Sequence, residues 1–132
     1  MLMPAAVLIV LVLAAMAIDL AHLQLGQRQL RSMAADAAND AAGAGVDVEA
    51  LRAGQPVQLD PALAEAVARR TAAAQWPSSV TPGTVAVTVD PAAGTVTVAV
   101  SGTVAPIVAR ALPGHTDGSD VQASATATLR DR

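Results

Sequence analysis

Residues 1–18 carry no charge, and Asp19 ends the apolar run abruptly. At ~1.5 Å per residue a helix of this length reaches about 27 Å, close to the roughly 30 Å of bilayer hydrocarbon. The run reads as a membrane-spanning segment. A carboxylate at the bilayer centre costs on the order of 3 kcal/mol on insertion scales, which places Asp19 at the membrane edge. Beyond it the helical period continues. Leu20, Leu23, Leu30, Ala34, Ala37, Ala41 and Ala44 recur at alternating three- and four-residue spacing, with Gln27 the one polar interruption. Arg28, Arg31, Ser32, Asp36, Asn39 and Asp40 take the other faces. Residues 19–45 are thus an amphipathic helix with a narrow seam, and Gly43 with Gly45 supplies the stop. Gly26 inside it costs about 1 kcal/mol relative to alanine. From residue 5 to 42 the two halves make one rod of roughly 55 Å.

Residues 46–59 hold Gly54 and Pro56 and read as a connector. A second helix follows over 60–75, with Asp60 as N-cap, Pro61 in the first helical position and Glu65 near the positive end. Its apolar side is assigned to Leu63, Ala66, Val67 and Ala74, and Arg69 and Arg70 to solvent. From Val80 the period changes to two. Val85, Val87 and Val89 alternate with threonine and alanine, as do Val96, Val98 and Val100. The stretch 90–94, Asp-Pro-Ala-Ala-Gly, has turn composition, so the pair is a β-hairpin with one valine face. Pro106 opens a short helical piece over 107–112, then a loop over 113–120. A third strand at 121–129 is weakened by alanine. The fold class is α+β: a long N-terminal helix, transmembrane then amphipathic, followed by a small antiparallel sheet packed with short helices. The chain divides into a transmembrane segment at 1–18, the emerging helix at 19–45 and a small α+β domain at 46–132.

Composition narrows the function. The 132 residues are 53% hydrophobic, but alanine and valine dominate, and Trp76 is the sole aromatic. Such a core buries little area per residue, so the domain is expected to be marginally stable and to lean on partners. Trp76, before a proline at a helix end, reads first as a packing residue and second as an anchor for a partner. The net charge is −3, and the eight arginines are scattered, which excludes the basic face of a nucleic-acid binder. There is no cysteine, hence neither disulfide nor thiolate metal site.

Catalytic chemistry has no constellation here. His22 and His115 lie in unrelated contexts, Ser78, Ser79 and Ser119 have no nucleophile elbow, and Asp117 with Asp120 falls short of a calcium loop's ligands. The expectation is a non-enzyme with no cofactor, no metal and no small-molecule substrate. Asp36 and Asp40, four residues apart, either meet a partner's arginine or are simply solvated. The seam of Leu30, Ala34, Ala37, Ala41 and Ala44 likewise has two readings: close approach by a partner helix, or cover for the protein's own sheet.

The apolar helix, the Asp19-Leu20 step and the stretch 30–45, Leu-Arg-Ser-Met-Ala-Ala-Asp-Ala-Ala-Asn-Asp-Ala-Ala-Gly-Ala-Gly, resemble the N-terminal region of TadE/TadG-like proteins. These are minor pilins, or pseudopilins, of the Tad (Flp-type) pilus system. The resemblance covers residues 1–45 and includes the acidic positions Asp36 and Asp40. It implies a pilin-like, single-pass protein of the cell membrane that takes part in pilus assembly, secretion or adhesion. Its partners would be the lipid bilayer and other pilus-assembly subunits. Family members carry a short lead with Arg and Gly, then an early Glu, whereas this sequence opens with Met1-Leu2-Met3-Pro4 inside the apolar run. The expectation is therefore an upstream start or an unprocessed member. Arg28 and Arg31 alone would favour a cytoplasmic C-terminus. A basic lead upstream would instead hold the N-terminus in the cytoplasm and place the domain outside, and this is the orientation expected. The alternative is a secreted binding module released by signal peptidase after Ala17, within the small-residue site Ala15-Met16-Ala17.

Overall fold

The computed structural model describes residues 3–111 and 118–129. One helix, α1 (Met3–Ala44), runs through both the apolar run and the seam without a break. It is followed by α2 (Val48–Arg52), α3 (Pro61–Ala74), the strands β1 (Thr81–Asp90) and β2 (Thr95–Val104), a 3-10 turn at Ala109–Ala111, and β3 (Ser119–Thr128). The strands form an antiparallel meander in the order β1-β2-β3. The outer half of α1 lies over β2 and β3, and α3 lies beside it over β1. The arrangement is α+β, as the change of period from about 3.6 to two requires.

The hairpin and the caps form for the reasons legible in the sequence. Asp60 Oδ1 accepts from the amides of Ala62 and Leu63, and Pro61 stands at the start of α3. Asp90 Oδ1 accepts from the amides of Ala92 and Ala93, and Gly94 takes φ +63° to close the turn. That left-handed conformation costs glycine little and other residues more. The connector 46–59 is more ordered than its composition suggests. Asp47 caps the short α2 by accepting from the amides of Glu49 and Ala50, and Val46 bridges to Leu59, which is buried.

The sheet has two unlike faces. Toward the helices point Val96, Val98, Val100 and Val104 of β2 and Val121, Ala123 and Ala127 of β3, all buried, with Val85, Val87 and Val89 of β1 half-buried at the edge. The register sets Val96 against Ala127, Val98 against Ala125 and Val100 against Ala123, so valine on the central strand meets alanine on β3. The other face carries Thr84, Thr88, Thr97, Ala99, Ser101, Gln122, Ser124 and Thr126, with Thr97 and Thr126 hydrogen-bonded through their hydroxyls at 2.8 Å.

The seam of α1 is the floor of this core. Leu30, Ala34, Ala37 and Ala41 are fully buried, together with Met33, Ala38 and Ala42, which widen the stripe beyond the sequence expectation. These residues pack against the protein's own sheet and α3, so the reading of the seam as a partner-facing surface is corrected. Ala44, at the end of the predicted stripe, is exposed. The outer half of α1 is therefore part of the domain's core, and the division drawn at residue 45 is no boundary in packing. Alanine is what the geometry needs here, because a helix and a strand both lined with methyl groups bring their backbones close. The apolar side of α3 is also corrected. Its buried residues are Ala64, Val67, Ala68 and Ala72, whereas Leu63, Ala66 and Ala74 are exposed. Arg69 and Arg70 are exposed as expected, and Arg69 pairs with Glu65 and donates to the Val85 carbonyl.

Candidate functional site: the junction of helix and domain

From residue 4 to 14, α1 is apolar on every face and exposed, covered by none of the described residues of the domain. Seven successive large side chains from Val7 to Leu13 are each more than half exposed, and the most apolar window of the helix is 0% buried within the protein. Each such side chain left in water forgoes roughly 1.5–3 kcal/mol of burial. The segment is long and apolar enough to cross a membrane.

Where that segment ends, the chain makes its most specific long-range polar contact among the described residues. Asp19 Oδ1 accepts from the backbone amides of Ile107 (2.8 Å) and Val108 (2.9 Å), and Oδ2 accepts from the amide of Ala109 (2.9 Å). These amides open the 3-10 turn, so Asp19 does from 88–90 residues away what an N-cap does locally. Hydrogen bonds to an ionised acceptor are stronger than neutral ones, which makes this a firm clamp between α1 and the β2–β3 connection. Asp19 is thus a structural tether as well as the first charge after the apolar run.

A second close approach lies two turns further on. A Cβ at Gly26 would stand 2.8 Å from Val104 Cγ2 and 3.3 Å from Val80 Cγ2, so only glycine lets the ends of β2 and of the α3–β1 connection reach the helix. The same region is closed by Ser79 donating to Gln29 Oε1, and by the Trp76 indole donating to the Val80 carbonyl at 2.8 Å. Trp76 is half-buried and packed against the core, in line with its first reading. At the far end Asp40 accepts from the Thr71 hydroxyl at 3.0 Å and so docks α3, while Asp36 is exposed. Of these two carboxylates, one is an internal contact and the other faces solvent.

Among the described residues no three His, Cys, Asp or Glu side chains converge. A shallow concavity on the outer sheet face is lined by hydroxyl, amide and methyl groups, including Thr84, Ser101, Gln122 and Ser124. His115 and Asp117 lie outside the described residues. The residue set that sequence reasoning missed is 107–109. Its only local signal is Pro106 followed by two apolar residues, and no spacing rule joins it to Asp19.

Comparison of the chain with protein-family models, with curated proteins and with solved structures gives no match.

Proposed function

We propose that the protein is a membrane-anchored, non-catalytic structural component of the cell envelope, of the TadE/TadG-like minor-pilin type, serving pilus assembly or secretion. The observation that carries this reading is the continuity of α1. One helix has a bare apolar half sized for the bilayer and a second half that forms the floor of the folded domain. A rigid link of this kind orients a domain relative to a membrane, which a flexible tether would not do. The cytoplasmic N-terminus and external domain follow from the family resemblance. Because the alanine seam is occupied internally, contacts with other subunits fall to the apolar half of α1 and to the hydroxyl-rich outer face of the sheet. Deleting the gene in its host should abolish filament assembly or the linked secretion, and the full-length chain should restore it. Unchanged filaments and secretion would refute the pilin reading.

The secreted-module reading retains one observation in its favour. Asp19 is the first described side chain hydrogen-bonded to the domain, so release after Ala17 would leave the domain's polar contacts intact. Mass spectrometry of the mature protein separates the two. Retention of the apolar segment in the membrane fraction supports the anchor, and a species beginning at Ile18 in the medium supports release.

A further inference from the structure

We infer that the β2–β3 connection at residues 105–110 is a membrane-docking surface, seated on the lipid interface from which α1 emerges. This rests on the membrane-anchored reading above. The contacts along α1 fix which end of the domain faces the bilayer. Going outward, Asp19 holds residues 107–109, Gly26 meets Val104, Gln29 meets Ser79, Asp40 meets Thr71 and Gly45 meets Ala64. The start of the 3-10 turn is thus held at the level where the apolar run ends, and the 90–94 hairpin turn lies at the opposite end of the strands.

The chemistry of that end suits a lipid interface. Ile107 is 56% exposed although it is a large aliphatic side chain, and it is flanked by half-buried Pro106 and Val108. Ile18 and Leu20, on either side of Asp19, are 50% and 56% exposed. All of these residues are chain neighbours of the groups joined in the Asp19 contact, where the bare run meets the domain. Arg110, exposed and three residues along the chain from Ile107, supplies a guanidinium of the kind that pairs with lipid phosphates. A loop is ordinarily kept from hydrocarbon by its unpaired amides. Here proline removes one donor at 106, and the Asp19 carboxylate satisfies the next three. The clamp therefore gives these three amides partners that do not depend on water. The occupant is the bilayer itself, because α1 holds the patch beside it.

The cysteine-free chain permits a direct test. Single variants Ile9→Cys, Ile107→Cys and Ala92→Cys of the full chain carry an environment-sensitive fluorophore in phosphatidylcholine–phosphatidylglycerol vesicles. Nitroxide lipids, labelled either at the glycerol level or deep in the acyl chain, serve as quenchers. The deep nitroxide should quench the label at position 9. Only the shallow one should quench position 107, with a blue shift, and neither should quench position 92. Adding Asp19→Ala should abolish quenching at 107 and leave position 9 unchanged. Quenching at 9 with position 107 behaving like 92 would overturn the docking surface and leave the anchor standing. A blue shift at 107 without lipid quenching would assign the patch to a second copy and overturn it equally. Absence of quenching at 9 would remove the anchor, and the docking surface with it. Retained quenching at 107 in the Asp19→Ala background would overturn the role given to the carboxylate.

Discussion

The two halves of α1 share a backbone and differ in how far the rest of the protein covers them. From Val7 to Leu13 the side chains are large, aliphatic and bare on all faces, whereas from Leu30 to Ala42 the inward side chains are mostly alanine and fully covered. The more hydrophobic half is the exposed one. Hydropathy thus reports the surroundings a helix requires, and side-chain size reports how near a neighbouring backbone must come. Leucine and valine offer area to lipid. Alanine offers proximity to a sheet, and at Gly26 even a methyl group is too much. Confusing the two criteria is what makes the alanine seam look like a partner surface.

A charge placed in either half should break different things. Ala37 is fully buried between the helix and its own sheet. Ala37→Asp should cost more than about 4 kcal/mol, because an unpaired carboxylate would be desolvated there, and should unfold the domain. Membrane association should survive. The expected readout is loss of sheet signal and of cooperative denaturation for the full chain in detergent micelles, with carbonate-resistant pelleting from membranes unchanged. Leu11→Arg should do the reverse. At the centre of the proposed span it costs about 3 kcal/mol of insertion, weakening membrane retention while the domain's denaturation midpoint stays put. If Leu11→Arg unfolds the domain, or Ala37→Asp releases the protein from membranes, the division of labour within α1 is wrong.

Local chemistry was legible wherever it was written in neighbouring residues. The Asp60-Pro61 start of α3, the Asp90-to-Gly94 turn and the valine alternation of β1 and β2 all follow from spacing over a few positions. What spacing could not decide was which of several equivalent small residues faces inward. On α3, Ala64, Ala68 and Ala72 are buried while Ala66 and Ala74 are exposed, and Leu63 is exposed despite its size. In an alanine-rich helix the apolar moment is too flat to orient the stripe. The positions of the α1 seam are nearly all legible in its spacing, but their meaning depends on whether the sheet folds back onto them. The Asp19 clamp was illegible for another reason. A carboxylate that caps a turn some ninety residues away leaves no local trace, and its place after the apolar run already had a sufficient explanation.

The smallest expected effect is also the most discriminating, because it asks for opposite signs from the same substitution. Both Gly26 and Gly43 lie within α1, where glycine costs up to about 1 kcal/mol relative to alanine. At Gly43 an added Cβ meets nothing within 4 Å, so Gly43→Ala should stabilise by a few tenths to about 1 kcal/mol, the smaller value reflecting its place in the last turn. At Gly26 the same atom would stand 2.8 Å from Val104 Cγ2, and the β-branched valine has little rotamer freedom with which to retreat. Overpacking of this kind costs about 1–3 kcal/mol, which exceeds the propensity gain, so Gly26→Ala should be destabilising. Chemical denaturation of the two variants in the same detergent measures the difference directly. Stabilisation by both would mean that the ends of β2 and of the α3–β1 connection do not press against the helix at Gly26. Proximity would then cease to explain the small residues of the outer half.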